Sequence, residues 1–223
     1  MKEKTKKKKI GLKVLVIIAI IIVIIAVIVL INFIRNYVII NDIIEKESKF
    51  KDLTNYSYVS EYYSSNDENG KTVIEHYYKD GKTKMVVNNN EDRITVWYDE
   101  ETKENIFLNE TTKEATVTSS PFWLGTELLY FNEEDNKIYF ALTSFITSEK
   151  IEGEECYTIQ NSGIKASINK EDGTVAKSIN GKSIVDGKEY DGITEYKNWQ
   201  FDKLTDEDMA RPDLTGYTVV DKT

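Results

Sequence analysis

The chain of 223 residues has very few of the side chains on which metal sites and nucleophilic catalysis most often depend. It contains one cysteine, Cys156, one histidine, His76, and two prolines. An internal disulfide is therefore excluded, and a zinc site or a Ser-His-Asp arrangement lacks its usual partners. A Cys156–His76 dyad is the remaining nucleophilic candidate. The favoured alternative is that Cys156 packs as a small apolar residue in a strand.

Short motifs of common enzyme classes are also missing. The chain contains no glycine-rich phosphate loop and no Gly-x-Ser-x-Gly turn. The acidic run Asp206-Glu207-Asp208 suits the first turn of a short helix capped by Thr205. Residues 66–70 lack the glutamate that completes a calcium-binding loop, since His76 stands at that position. We therefore predict no enzymatic activity, no cofactor and no metal.

The charge balance is acidic and uneven along the chain. Residues 1–13 carry seven lysines and one glutamate, whereas residues 36–223 carry 21 basic and 37 acidic residues, a net charge of −16. A nucleic-acid-binding surface needs a basic stripe, so nucleic acid is not an expected partner. Solubility and self-repulsion account for the acidic balance.

A long hydrophobic run near the N-terminus predicts a transmembrane helix. Residues 14–31 are eighteen consecutive aliphatic residues, and the sequence stays uncharged through Ile34. A helix over residues 14–34 is about 31 Å long, which matches the roughly 30 Å hydrocarbon core of a bilayer. A helix also keeps its backbone hydrogen bonds internal, as lipid requires. The lipid bilayer is therefore the expected partner of residues 14–34.

The flanks of this run predict its orientation. Lysines crowd residues 1–13 and only Arg35 follows the run directly, so the positive-inside rule places the N-terminus in the cytoplasm. A cleaved signal peptide is the alternative, but its apolar region is usually shorter and ends at small residues. The predicted organisation is a basic cytoplasmic tail (1–13), a transmembrane helix (14–34) and an extracytoplasmic β-rich domain (35–223).

Beyond the span, the sequence pattern changes from helix to strand. Apolar residues at helical spacing predict a helix over 35–53, and alternation with a period of two begins at Tyr56. The Asp80-Gly81 pair is typical of a type I′ hairpin turn, and short connections favour an antiparallel meander. The predicted strands are 56–63, 71–78, 83–87, 93–98, 105–108, 115–118, 137–147, 156–160, 164–169, 175–179, 192–201 and an edge strand at 217–220, with a loop at 64–70.

Residues 121–135 interrupt the strand pattern with the densest apolar patch beyond the span. Near-helical spacing predicts one short helix or an apolar loop there. The segment either plugs an open sheet or lines a pocket for an apolar ligand. The residues predicted to line that pocket are Phe122, Trp123, Leu124, Leu128, Leu129 and Phe131, with Trp97 joining either the pocket or the core from a strand.

Six short strings occur in order along the chain: Asn55-Tyr56-Ser57-Tyr58, His76-Tyr77-Tyr78-Lys79-Asp80-Gly81-Lys82, Trp97-Tyr98-Asp99, Lys113-Glu114-Ala115, Cys156-Tyr157-Thr158-Ile159 and Pro212-Asp213-Leu214. Together with the order of elements, they resemble the LolA and LppX lipoprotein-carrier superfamily, in the form of a membrane-anchored relative from Gram-positive bacteria. The resemblance implies an α+β fold, in which a curved antiparallel β-sheet, an incomplete barrel, follows the transmembrane helix and packs on one or two helices. It also implies a concave apolar surface for acyl chains or a lipoprotein. A tethered chain departs from the soluble carriers, because it does not shuttle between membranes.

Two functions remain open from the sequence. The first is a membrane-anchored, non-catalytic protein that binds a lipid or a lipidated peptide in the concave side of its sheet. The alternative is a structural, sensory or interaction domain of the cell envelope that docks a protein partner without a small ligand.

Overall fold

The computed structural model describes residues 2–89, 92–119, 136–185 and 188–223, except for the side chains of residues 2–12, 67–69 and 181–187. Its first element is a single helix, α1 (Lys2–Glu47), followed by a 3-10 turn at Ser48–Phe50. The apolar run and the predicted helix at 35–53 are thus continuous, because no glycine or proline separates them, but the α-helix ends at Glu47, earlier than predicted. The apolar part of α1 is long enough to cross a membrane, and none of it is buried within the structure.

In the described ranges, twelve strands make up one sheet. Their bounds are β1 (Asn55–Ser64), β2 (Asp67–Lys79), β3 (Lys82–Asn88), β4 (Arg93–Asp99), β5 (Asn105–Asn109), β6 (Glu114–Thr118), β7 (Phe145–Ile151), β8 (Glu154–Asn161), β9 (Ile164–Asn169), β10 (Val175–Val185), β11 (Lys188–Phe201) and β12 (Thr218–Asp221). A second helix, α2 (Lys137–Thr143), precedes β7. The predicted α+β architecture, an apolar N-terminal helix followed by a large open antiparallel sheet, is confirmed.

The sheet consists of two meanders joined in the middle. Strands β1 to β6 pair in sequence order, strands β7 to β11 do the same, and β1 pairs antiparallel with β11. Among the described strands, β12 and β7 are the two edges, so the sheet does not close into a barrel. Asp80 and Gly81 have φ angles of 48° and 81°, which confirms the predicted type I′ hairpin between β2 and β3.

The C-terminal edge strand was predicted, but its direction was not. Strand β12 pairs with β6 in parallel, with Val219 opposite Ala115, so it is the exception to the antiparallel pattern. A parallel neighbour requires a long return connection, which residues 202–217 provide. Within that connection Thr205 and Asp208 form the predicted capping interaction, with Thr205 N–H donating to Asp208 Oδ2 at 2.8 Å.

The strand prediction at 137–147 is wrong in its first half. Residues 137–143 form α2, because the Asn136 side chain caps the helix by accepting a hydrogen bond from the Tyr139 amide at 3.0 Å. The residues Ile138, Tyr139 and Phe140 favour strands in isolation, so the local pattern concealed the helix. Strand β7 then begins at Phe145.

Several strands are longer than predicted, because they pair with strands that lie elsewhere in the sequence. Strand β10 continues beyond the predicted end at 179 to Val185, and strand β11 begins at Lys188, before the predicted start at 192. The added residues pair with each other, from Lys182 opposite Asp191 to Val185 opposite Lys188. The predicted loop at 64–70 shrinks to a turn at Ser65 and Asn66. The Ser65 amide donates to the Asp191 carbonyl oxygen at 2.9 Å, and this bond ties the turn to β11.

The described chain divides into two compact units. One unit contains α1 up to Asp42 together with α2. The other contains the end of α1 from Ile43 and the whole sheet. Within this second unit, the stacked rings of Phe50 and Phe201 and a hydrogen bond from Lys46 Nζ to the Lys170 carbonyl oxygen fix the helix end against the sheet.

The strand registers assign each side chain to one of two faces, because neighbouring residues in a strand point to opposite sides and paired residues point to the same side. We call one side the aromatic face, defined by the cross-strand row Tyr58, His76, Met85, Val96 and Phe107. The other side, the opposite face, is defined by the row Ser57, Tyr77, Lys84, Trp97, Ile106 and Val117.

The opposite face is sealed at β4 to β6 by the C-terminal connection. A buried cluster of Trp97, Ile106, Leu108, Ala115 and Val117 packs against Leu214 and Tyr217. Trp97 Nε1 donates to the carbonyl oxygen of the buried Met209 at 3.0 Å. Arg211 fixes the same connection through two hydrogen bonds to the Glu104 carboxylate, of 2.9 and 2.8 Å. The opposite face at β4 to β6 is therefore a packed core, in which the indole N–H of Trp97 has a hydrogen-bond acceptor.

Candidate functional site: the aromatic face of the sheet

An aromatic cluster occupies the middle of the aromatic face. The buried residues Tyr56 and Tyr58 are its centre, and Phe50, Leu53, Tyr78, Tyr196, Trp199 and Phe201 pack around them. The Tyr58 ring stacks on Trp199 with centroids 4.3 Å apart, and on His76 at the same distance with an interplanar angle of 10°. Stacked pairs add stabilisation beyond area burial, so this cluster joins the two meanders firmly.

A bulge in β11 positions Trp199. The β1–β11 register shifts between Ser57 and Val59, and Asn198 has a φ of 55°. A bulge inserts a residue and redirects the next side chain. Trp199 stacks on Tyr58 as a result, and its Nε1 donates to the Val175 carbonyl oxygen at 3.2 Å.

His76 is the polar group of this cluster. Its Nε2 lies 2.9 Å from Ser60 Oγ, and its buried Nδ1 has no hydrogen-bond partner in the described part of the chain. Burial lowers the pKa of His76 to about 4, so the ring is neutral at pH 7. A nucleophile–base pair needs a third group that orients the base, and none lies on Nδ1 among the described residues. The Ser60–His76 contact therefore fits a structural role.

The Cys156–His76 dyad weighed from the sequence does not form. Following the registers from β1 to β8 places Cys156 on the opposite face, paired with Glu149 and Asn169, whereas His76 lies on the aromatic face. Cys156 is fully buried, and burial raises the pKa of its thiol. It packs as a small apolar residue, as the favoured alternative predicted.

A strip of half-buried apolar side chains continues from the aromatic cluster across β2 to β5. Ile74, Val87 and Ile94 are directly paired, and so are Met85, Val96 and Phe107. Of these six residues only Val96 is buried, and the other five remain partly accessible to solvent. We call these six residues the apolar strip. These six side chains form one contiguous, half-buried apolar strip across four strands.

Buried side chains continue on the same face on the other side of the cluster, and the end of α1 lies against a turn nearby. There the paired residues Ile146, Ile159 and Ala166 are buried. Gly173 at the β9–β10 turn has a φ of +84°, and a Cβ on it would lie 2.7 Å from Lys46 Cβ. The backbone of this turn thus approaches the helix more closely than any side chain permits.

The middle of the opposite face carries an ion-pair network instead. Lys177 Nζ and Lys197 Nζ lie 3.1 and 3.7 Å from the Glu195 carboxylate, and Lys71 pairs with Glu61 at 3.1 Å. Burial raises the pKa of Glu195, but Lys177 and the Tyr63 hydroxyl lower it by more, so the net shift is downward. The charges of this network compensate one another, which suits a structural role.

Two clefts open beside the bulge, and polar residues line much of both. A cleft of about 360 Å³ includes Glu75, Tyr77, Gln200, Lys203 and Asp208 in its lining. A cleft of about 340 Å³ combines Tyr196 and Trp199 with Glu152, Glu154 and Asp172. An acyl chain requires a predominantly apolar lining, so neither cleft matches the expected ligand. Among the described residues, no group of three or more side chains is arranged to hold a metal ion.

The structure places one of the predicted pocket residues and leaves the others outside the described ranges. Trp97 lies in the sealed core of the opposite face. Phe122, Trp123, Leu124, Leu128, Leu129 and Phe131 lie outside the described residues. The aromatic cluster was not predicted, although the alternation of Tyr56 and Tyr58 and the close spacing of Tyr196, Trp199 and Phe201 indicate it in the sequence.

Comparison with solved structures identifies chains of similar fold. An uncharacterised conserved protein from Thermus thermophilus matches with a TM-score of 0.52 and 9% identity, over 82% of this chain and 98% of that one. A DUF1329 family protein from Desulfovibrio piger matches with a TM-score of 0.31 and 10% identity, over 79% of this chain and 96% of that one. The LolA superfamily protein NE2245 from Nitrosomonas europaea has the same TM-score and identity, over 77% of this chain and 97% of that one.

No family model and no curated protein matches the chain. One of the matching structures is described as a LolA superfamily protein, the superfamily that the sequence resembles. At these identities the similarity concerns the fold alone. The fold itself rests on the strand pairing described above and on the similarity to the Thermus protein.

Proposed function

We propose that this protein is a non-enzymatic binding protein, anchored in the cell membrane by residues 14–34, that holds the acyl chain of a lipid or a lipidated peptide against its aromatic face. The sheet lies on the extracytoplasmic side in this proposal, because the lysines of residues 1–13 favour the cytoplasm. The tether keeps the binding surface near the bilayer from which such a ligand comes.

The observation that carries the proposal is the contrast between the two faces at β3 to β5. The opposite face buries Trp97, Ile106 and Leu108 beneath the C-terminal connection. On the aromatic face of the same strands, Met85, Ile94 and Phe107 remain partly accessible. Apolar surface that stays in contact with water is unfavourable by about 25 cal/mol per Å², so an apolar ligand placed on it is stabilised.

The aromatic cluster gives this surface a rigid boundary. His76 and Trp199 each stack on Tyr58, and hydrogen bonds to Ser60 and to the Val175 carbonyl oxygen, respectively, hold the two rings in place. A preformed boundary lowers the ordering cost of binding. The segment with Trp123 and Leu128 is proposed to complete the site as a lining or lid, with a permanent plug as the alternative.

Native mass spectrometry of the full chain, purified from its membrane in detergent, tests the proposal. We expect a co-purified acyl ligand, which Ile94→Asp removes because the new carboxylate lies within the apolar strip. Arg93→Asp is the matched control, since it places the same group one residue earlier in β4, exposed on the opposite face. Loss of ligand from both variants, or no ligand in the parent protein, contradicts the proposal.

Variants of residues 121–135 distinguish a segment that lines the proposed ligand site from one that plugs the sheet permanently. Trp123→Asp or Leu128→Asp removes the ligand from a folded protein if these residues line the site. If they plug the sheet, the same changes lower the free energy of unfolding instead. Far-ultraviolet circular dichroism and urea unfolding of each variant distinguish the two outcomes.

Docking of an envelope protein partner is the second candidate. Strand β7 is an edge of the sheet among the described strands, and an exposed edge is able to pair with a strand of another chain. Amides along an edge strand alternate between bonding to the neighbouring strand and pointing outward, so one of Thr147→Pro and Ser148→Pro removes an outward donor from β7. A partner that binds at this edge is lost from that variant, while Ile94→Asp leaves it bound.

A further inference from the structure

Helix α2 presents its apolar side chains outward. Ile138, Tyr139 and Leu142 are 57%, 52% and 60% exposed, whereas Ala141 is 1% exposed. The spacing of Ile138, Tyr139 and Leu142 places them on one side of the helix. A single exposed apolar residue is ordinary, but three on a helix of seven residues form a continuous apolar surface.

Hydrogen bonds fix α2 beside one short stretch of α1. The buried Asn36 donates from Nδ2 to the carbonyl oxygens of Ala141 and Ser144, at 3.1 and 3.0 Å. At the other end of α2, Lys137 Nζ donates to Asn41 Oδ1 at 3.1 Å. The C-terminal end of α2 therefore lies beside residue 36 and its N-terminal end lies beside residue 41.

This position relates α2 to the membrane. Asn36 is two residues beyond Ile34, the last residue of the uncharged run, and therefore about 3 Å farther along the helix axis. Asn41 is about 10 Å beyond the same point. The polar headgroup layer adds roughly 5–7 Å to each side of the hydrocarbon core. The end of α2 that carries Leu142 thus falls within the depth of the headgroups.

The neighbouring part of α1 continues the apolar surface. Ile34, Tyr37 and Val38 are exposed, although they lie at or beyond the end of the uncharged run. Tyr37 and Tyr139 supply the amphipathic rings that are enriched at membrane–water interfaces. A bilayer covers such a surface without another protein, because its boundary region accepts apolar side chains and phenol groups together.

From this juxtaposition we propose that α2 and residues 34–38 of α1 form an interfacial collar, which inserts its apolar side chains between the lipid headgroups of the leaflet where the span ends. The collar gives the protein a second lipid contact besides the span. The proposal rests on the proposed anchoring of residues 14–34. Its partner is the lipid surface itself, chosen because the collar is continuous with the candidate span.

Site-directed spin labelling of the full chain in nanodiscs of phosphatidylcholine and phosphatidylglycerol tests this proposal. Nitroxides are attached to Leu142→Cys or Tyr139→Cys in a Cys156→Ala background. Ile24→Cys, in the middle of the span, is the control for anchoring. Ile164→Cys, an exposed apolar residue on β9, is the matched control outside the collar. The ratio of collisions with oxygen to collisions with a water-soluble nickel chelate measures the depth of each label.

We expect the ratio at Leu142 to be several-fold higher than at Ile164 and lower than at Ile24. Tyr139→Cys repeats the measurement at a second collar position if the Leu142 variant fails to fold. A collar ratio equal to that of Ile164, with a high ratio at Ile24, overturns the collar while the anchoring stands. A low ratio at Ile24 overturns the anchoring and the collar together.

Discussion

The two faces of the sheet bury apolar side chains to different extents on the same strands. On β4 and β5, Trp97 and Ile106 point to the opposite face and are 2% and 0% exposed, whereas Ile94 and Phe107 point to the aromatic face and are partly accessible. Strands β4 and β5 carry apolar residues on both faces of the sheet, so the sequence of these strands alone does not show which face is buried. The difference arises at β4 to β6 because residues of the C-terminal connection, among them Leu214 and Tyr217, pack against the opposite face there.

The largest expected effect tests the sealed core. Trp97→Ala leaves a large cavity and removes the hydrogen bond to the Met209 carbonyl oxygen. We expect a loss of about 3–5 kcal/mol in the free energy of unfolding, measured by urea titration of the full chain in detergent. Phe107→Ala, on the aromatic face of the neighbouring strand, is expected to cost clearly less. Equal losses contradict the difference in packing between the faces.

The next effect concerns His76 and pH. The unfolded state takes up a proton near pH 6.5, whereas the folded state takes it up only near pH 4. Stability therefore falls as pH drops from 6.5 to 4, by on the order of 3 kcal/mol in total. His76 is the only histidine, and the glutamates with lowered pKa values, such as Glu61 and Glu195, lose their contributions mainly below pH 4.5. Urea unfolding at successive pH values measures the slope.

His76→Gln is the control for this pH dependence, because it retains a polar group beside Ser60 and does not titrate. The variant is expected to have a flat stability profile between pH 6.5 and 5. A variant whose profile matches that of the parent protein places the titrating group elsewhere.

A smaller effect tests how closely the end of α1 approaches the turn between β9 and β10. Gly173→Ala forces a left-handed alanine and a clash with Lys46 Cβ, and is expected to cost about 2–3 kcal/mol. Gly163→Ala has a similar φ of +86° with nothing within 4 Å, so it bears only the backbone strain of about 1 kcal/mol. Thermal and urea unfolding give both values, and equal costs refute the close approach of the helix.

The smallest expected effect concerns the ion-pair network of the opposite face. Glu195→Gln removes the charge that faces Lys177 and Lys197, and we expect a loss of about 1 kcal/mol at pH 7, since the network is partly solvated. The lowered pKa of Glu195 means that its contribution is present above pH 4.5 and disappears at lower pH. Glu155→Gln, which disrupts the more exposed pair with Lys150, is the control and should change stability hardly at all.

Local signals in the sequence predicted much of this fold. The Asp80-Gly81 hairpin, the meander β1 to β6 and the edge strand β12 follow from turn chemistry, alternation and short connections. The parallel pairing of β12 and the extension of β10 and β11 were not predictable, because each depends on a partner distant in the sequence. The helix α2 was missed because Asn136 overrides the strand preference of the residues that follow.

The candidate site was less predictable than the fold. Alternation shows that Trp97 and Phe107 belong to strands, but the face of each depends on the register of the whole sheet. The bulge that brings Trp199 onto Tyr58 is likewise a tertiary feature, because Asn198 gives no local warning of it. The sequence alone therefore predicts Trp97 equally well as a pocket residue or as a core residue.

Fluorescence quenching by a brominated fatty acid tests the proposed binding of an acyl chain to the aromatic face most directly, because the chain has only three tryptophans, Trp97, Trp123 and Trp199. One full-length variant keeps Trp199 alone on the aromatic face, and the other keeps Trp97 alone on the opposite face, with phenylalanine at the remaining two positions. If an acyl chain binds the aromatic face, bromine quenches Trp199 saturably and leaves Trp97 unchanged. Equal quenching of both residues, or saturable quenching of Trp97 alone, contradicts the assignment of the ligand to the aromatic face.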